Sequence, residues 1–425
     1  MRAALPANAI RHIIVVELEN ESFSSTFGPG SPAKYLNDTL VPQGELIENY
    51  YATGHVSLDN YIAQISGQAP NPLSSSDCLQ LPSFAGSFVN VAPGNLDPDQ
   101  ATFPGQVDGS GCVYPDSVRT IGNQLDAARG GSAARAGTAW RVYAEDMGNV
   151  PARDMGTPDP LGGTDCAHPV VGGPDPTNAA IPADQYATRH NPGVYFHSII
   201  DNQAECDANV VPLGRVTVGA NGAPDTFSGH LAQDLASEST TPEFAFITPN
   251  LCNDGHDMTC KGPNTEGGHT GGLVGADLWL KHWMPLILGS PAYQSGHTLV
   301  VVTFDEGNAV TDTASCCNEQ PGPAQPLPGV SPIFAALKPP LPVSPPGTGG
   351  GKVGAVLLNP RYIIAGTDNT TGAYNHYSAL RSYEDLLGIW KGGSDGLGHL
   401  GFAGQAGLVP FGRDVFNNAQ APGNA

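Results

Sequence analysis

Residues 10–20, IRHIIVVELEN, form an almost unbroken apolar run that stops on acidic and amide side chains. A strand buried on both faces of a mainly parallel sheet reads this way, because neither face needs polar positions. Similar runs recur at AWRVYAED (139–146), FAFITPN (244–250) and TLVVVTFDEG (298–307), each ending in polar residues. Between and after them, GADLWLKHWMPLILGS (275–290) and YSALRSYEDLLGIW (377–390) carry helical spacing. Alternating strands and helices predict an α/β fold with a central, mainly parallel sheet flanked by helices. In such sheets ligands collect beyond the carboxyl ends of the strands. Glu19, Asn20, Asn250, Asp254, Asp305 and Glu306 all fall just past such ends, so residues far apart in sequence are expected to converge.

Composition changes the picture in three ways. Only 14% of the 425 residues are charged, while 54 Gly and 39 Pro are spread along the chain, which predicts many ordered loops. We expect one domain over 1–425 with a loop-rich, cysteine-bearing insertion at about 68–180, and a Pro/Gly loop at 338–356 joining late elements. The formal net charge of −22 argues against sequence-independent nucleic-acid binding and leaves metal ions or helix N-termini to hold an anionic substrate. Eight cysteines in loops favour disulfides, and proximity suggests Cys78 with Cys112, Cys166 with Cys206, Cys252 with Cys260, and the adjacent Cys316 and Cys317. No run is long enough to span a membrane, and the expectation is a secreted protein whose signal has been removed. Oligomeric state is not readable from the chain.

Several clusters can carry chemistry. Asp305 and Glu306 are adjacent carboxylates after an apolar strand, which repel unless a cation or shared proton offsets them; a water-exposed turn pair is the plain alternative. NLCNDGHDMTC offers Asp254, His256 and Asp257 in one loop bracketed by Cys252 and Cys260, suited to a metal or to an Asx-turn. His376 precedes a helix, and His269 reads as a loop histidine. In RHNPGVYFHSI, Arg189 suits a phosphate contact with Asn191 as a further substrate-binding candidate, and His190 or His197 suits substrate orientation or leaving-group protonation; structural roles in a turn started by NP are the alternative. In TGHVSLDNYIAQISG (53–67), Ser57 reads either as a helix N-cap or as a hydroxyl in the positive field of a helix start; His55 lines the pocket or shapes the turn.

Six landmarks in order are VVELENESFSSTFG, GHVSLDNYIAQISG, RHNPGVYFHSI, TPNLCNDGHD, ADLWLKHWMPLILGSPAYQSGHTLVVVTFDEG and YNHYSALRSYEDLLGI. Together they resemble the bacterial and fungal phosphoesterase family of secreted acid phosphatases and phospholipases C, which is similar to the alkaline phosphatase superfamily. The resemblance implies an alkaline-phosphatase-like fold, Ser57 as nucleophile and Asn60 holding the phosphoryl group. It implies one metal position at Glu19, Asn20, Asp305 and Glu306, and a second at Asp254, His256 and His376. Two departures stand out. Asp305-Glu306 replaces the usual Asp-His, which favours Ca²⁺, Mg²⁺ or Mn²⁺ over two Zn²⁺, and Asp59 stands where Pro is common. The implied activity is hydrolysis of phosphate monoesters, phosphoinositides among them, through a phosphoserine. Phospholipase C or other phosphodiester cleavage is the alternative, and a non-catalytic metal- or carbohydrate-binding protein the competitor from another class.

Overall fold

A computed structural model describes residues 2–421 apart from 132–136, 151–152, 263–270, 339 and 341–346. His269 and most of the Pro-rich part of the 338–356 loop therefore lie outside the described residues. Eight strands build the central sheet: β1 His12–Leu18, β2 Glu45–Tyr51, β3 Trp140–Ala144, β4 Val210–Pro212, β5 Phe244–Thr248, β6 Thr298–Phe304, β7 Ala355–Leu358 and β8 Thr367–Asn375. Their order across the sheet is β4-β3-β5-β1-β6-β7-β2-β8. Every neighbouring pair is parallel except those made by β7, which is antiparallel to both β6 and β2. Seven strands thus share one direction and deliver their carboxyl ends to one edge of the sheet.

The apolar runs explain the centre. All seven residues of β1 and of β6 are buried, and the two pair in register from His12 with Thr298 to Leu18 with Phe304. Four helices matter for the site or its support: α1 Ser57–Ser66, α2 Ile121–Arg129, α3 Gly272–Gly289 and α4 His376–Leu386. Helix α1 is buried on every side and ends at Gly67, whose φ of 69° and whose close approach to the Leu400 carbonyl both exclude a side chain. Helix α3 begins three residues before the apolar segment that announced it and contains Pro285.

The segment 68–180 is less uniform than its composition suggested. Short antiparallel pairs, such as Ala92–Leu96 with Val107–Ser110, surround α2 and β3, and β3 belongs to the central sheet. The cysteines pair as Cys78–Cys112, Cys166–Cys206, Cys252–Cys260 and Cys316–Cys317. No described helix is long and apolar enough to cross a membrane.

Candidate active site

The site is assembled where β1, β5, β6 and β2 end. Glu19 follows β1, Asp254 follows β5, Asp305 follows β6, and the loop after β2 turns into α1 at Ser57. Backbone bonds lock these ends together: the Glu19 N–H donates to the Asp254 carbonyl at 2.9 Å, and the Asp305 N–H donates to the Leu18 carbonyl at 2.9 Å.

Ser57 is the first helical residue, with Val56 at the cap position, and its own side chain caps nothing. Its hydroxyl donates instead to Glu19 Oε2 at 2.7 Å. The capping is done from a distance by Asp77, whose Oδ1 accepts the Leu58 N–H at 3.0 Å. Asp77 also faces the buried guanidinium of Arg189, 3.3 Å away. One carboxylate therefore fixes both the start of α1 and the cation next to it. Sequence reading missed Asp77; its one signal was its place beside Cys78, whose bridge to Cys112 pins that turn.

His190 stands between two acids, with Nε2 at 3.2 Å from Glu19 Oε1 and Nδ1 at 3.1 Å from Asp254 Oδ2. It stacks on Tyr61 of α1, ring centroids 5.3 Å apart. Burial, then the charges of Arg189 and His256, push its pKa well below the ordinary imidazole value. Burial raises the Glu19 pKa to about 7 even though His256, Arg189, Tyr61 and Ser57 act to lower it. Burial, then Glu19, hold Asp254 well above the usual carboxylate range; Asp305 is pushed up by burial, then Glu19 and Glu306.

The first expected metal group is brought to one place, but not as one closed cage. Asn20 Nδ2 reaches Glu306 Oε1 at 3.4 Å, and Glu306 Oε2 is taken by His55 Nδ1. His55 Nε2 lies 2.9 Å from the Asp312 carbonyl, so this histidine ties the Ser57 loop to the Asp305-Glu306 turn. Both oxygens of Asp305 are buried without a hydrogen-bond partner, and Glu19 Oε1 has none of hydrogen-bonding geometry. Buried, unpaired carboxylate oxygens beside further acids are what a divalent cation neutralises, so the residues present fit such an ion.

Other expectations need correction. Asn60 spends its side chain on its own loop, accepting from the Thr53 and Gly54 N–H groups and donating to the Gly54 and Val56 carbonyls. It shapes the approach to Ser57 rather than offering a free amide to phosphate. His376 is the first residue of α4, with Nε2 at 2.7 Å from the Asp305 carbonyl and Nδ1 at 3.3 Å from the Tyr50 hydroxyl. Both ring nitrogens are used on the Asp305 side, so it does not join Asp254 and His256; burial lowers its pKa to about 4. His256 instead sits between Asp257, at 2.6 Å, and the Arg189 guanidinium, at 3.2 Å. His197 points away to Asp201 and Asn90, and Asn191 bonds Tyr186 and Met147. Asp59, the departure at the Pro position, is buried with both oxygens unpaired, and burial, then Glu306 and Asp77, raise its pKa strongly.

The arrangement so far is a hydroxyl at a helix start, bonded to a carboxylate, flanked by a buried arginine and an acid-rich cradle. The chain is 24% identical over 298 residues to a probable acid phosphatase of Kluyveromyces lactis, covering 70% of this chain and 48% of that one. It is 23% identical over 393 residues to the phosphate-repressible acid phosphatase of Penicillium chrysogenum, covering 91% and 62%. The chain thus spans about half to three-fifths of the length of these curated relatives. Among solved structures, a protein in the alkaline phosphatase superfamily from Vibrio parahaemolyticus is similar at a TM-score of 0.41 and 11% identity, over 90% of this chain and 68% of that one. The profile of the Phosphoesterase family matches residues 35–390, and the chain belongs to that family.

Proposed function

We propose that this chain hydrolyses phosphate esters, monoesters in preference to diesters, through a covalent phosphoserine at Ser57. The observation that carries the reading is the 2.7 Å bond from the Ser57 hydroxyl to Glu19 at the N-terminus of α1. Family membership and the acid phosphatase relatives support the same chemistry.

In the first step Ser57 Oγ attacks phosphorus, the P–O bond to the leaving oxygen breaks, the serine proton passes to Glu19 Oε2, and the departing alkoxide takes a proton from solvent. Glu19 Oε2 already accepts the Ser57 hydroxyl at 2.7 Å, so it stands where that proton has to go. The Arg189 guanidinium and the first-turn N–H groups of α1 other than Leu58, which Asp77 caps, hold the phosphoryl oxygens as negative charge builds on them. In the second step water attacks the phosphoserine, the Ser57–phosphorus bond breaks, Ser57 takes back the proton held by Glu19, and the water's protons leave with the released phosphate. His190, wedged between Glu19 and Asp254, bonds Asp254 through Nδ1 and holds that acid beside Glu19. Glu19, Asn20, Asp305 and Glu306 would hold a divalent cation, which when bound lowers the pKa of the serine hydroxyl and offsets phosphate charge. The four disulfides fit an exported protein, and we assign the chain to an oxidising compartment.

The test is a panel of p-nitrophenyl phosphate, its bis-ester and phosphatidylcholine, with and without prior chelation. The expected result is preferential release from the monoester, lost on chelation, and a Ser57→Ala variant that folds normally but falls by at least about 10³-fold in kcat. A Ser57→Ala protein that keeps normal turnover refutes the assignment.

A further inference from the structure

Outside the Ser57 cluster, one other group of ligand-type side chains converges. Asp159 lies just after the strand Met155–Pro158, at the tip of a hairpin; Asp165 is on the returning strand Thr164–His168; and His230 opens the short helix His230–Asp234. One donor atom from each lies within 4.8 Å of the others. His230 Nε2 is 3.0 Å from Asp159 Oδ2 and 3.9 Å from Asp165 Oδ1. Ligand atoms around a tetrahedral zinc are about 3.3 Å apart, so only small side-chain adjustments close the set.

A second observation is independent of that proximity. Asp165 is 8% exposed, and its Oδ1, the oxygen turned toward His230, is buried with no hydrogen-bond partner. A buried carboxylate oxygen without a hydrogen bond carries a free-energy cost, offset here among the described residues only by the longer 3.9 Å approach of His230 and by the charge of Arg141. Asp159 is held for ligation by its other oxygen, which accepts the Leu161 N–H at 3.0 Å and leaves Oδ2 facing the ring.

We infer that Asp159, Asp165 and His230 form a site for a divalent transition cation, Zn²⁺ foremost, distinct from the Ser57 centre. One imidazole and two carboxylates suit zinc with a water as fourth ligand; a nitrogen donor and so few oxygens disfavour Ca²⁺. Ligation through Nε2 puts the ring proton on Nδ1. The present 3.3 Å contact between Arg141 and Nδ1 is then given up, and Arg141 keeps its bonds to Asp234, at 2.5 Å, and to the Ala208 carbonyl, at 3.0 Å. The bound ion ties the 155–168 hairpin, itself anchored by Cys166–Cys206, to the short helix that precedes β5. It is a cross-link beside a disulfide, with no part in the reaction at Ser57.

The test compares the full-length protein with Asp165→Asn and His230→Gln after equilibration with Zn²⁺ and desalting, counting zinc per chain by elemental analysis. Each variant is expected to carry one zinc fewer than the wild type and to lose part of the zinc-dependent rise in Tm, with p-nitrophenyl phosphate turnover within about twofold of wild type. Co²⁺ substitution supplies a second readout, since the visible band of an imidazole-bound ion should weaken in His230→Gln. If either variant fails to fold, the other decides. Equal zinc content in the wild type and the folded variants overturns the site, whatever the Ser57 centre does.

Discussion

At the scale of single residues, Arg189 is the most exposed to test because its chemistry depends on shape as well as charge. It is buried against Asp77 and His256, and a lysine keeps the charge but not the planar fork that grips a phosphoryl group. Arg189→Lys is therefore expected to lower kcat/KM by about 10- to 100-fold, together with some fall in Tm from the altered contacts to Asp77 and His256; an unchanged kcat/KM would remove Arg189 from the substrate contacts. Glu45 offers a pH test outside the site. It is buried, one of its oxygens lacks a hydrogen-bond partner, and burial, then Asp414 and Asp368, raise its pKa to about 8. The folded state thus favours the protonated form. Its contribution to stability is fully present below about pH 4.5 and is lost as pH rises through 8. Thermal melts should show Tm declining over that window, and Glu45→Gln should flatten the decline; an equally steep decline in the variant would place the cause elsewhere.

At the scale of elements, α1 decides the site, and its start is held by Asp77, 19 positions downstream of the Leu58 N–H that it caps. Asp77→Ala removes that cap, worth about 1 kcal/mol, and leaves Arg189 buried without its carboxylate. The combined loss should approach the ~3–5 kcal/mol typical of breaking a buried pair, read as a fall in denaturation midpoint; a change within error would mean that Arg189 finds another partner. The same element explains what was legible beforehand. The long apolar strands β1, β5 and β6 announce themselves, since nothing but a doubly covered strand needs such runs. The polar residues at their ends could be read at once. Strand β8, TDNTTGAYN, and the short β7 and β4 carry no such pattern: β8 is at the sheet edge with exposed positions, and β7 lies next to the Gly-rich loop. Helix α2 hides behind mixed polarity.

At the scale of the whole molecule, the difference between legible and hidden lies in which neighbours a side chain meets. Glu19, Asp254 and Asp305 were nameable because strand ends in a parallel sheet share one edge, and Ser57 because it opens a helix within a family landmark. That His376 turns to the Asp305 carbonyl, that His197 leaves the site for Asn90, and that Asn60 closes its own loop are outcomes of side-chain packing, which spacing along the chain does not encode. The long, cysteine-bearing loops are held by their bridges. Cys166–Cys206 encloses 40 positions of sequence, and removing it with a double Ser substitution should cost about 2–5 kcal/mol, measured by chemical denaturation of the oxidised proteins. No loss would mean that the hairpin at 155–168 is secured by other contacts.

The central claim, that Ser57 carries the phosphoryl group, is most directly tested by mixing the protein with excess phosphate monoester, quenching in acid within the first turnovers and mapping peptides by mass spectrometry. The account predicts a phosphoryl group on the peptide containing Ser57 in the wild type and its absence in Ser57→Ala. Rapid ester hydrolysis with no trapped phosphoserine, or with phosphate on another side chain such as a histidine, would contradict it.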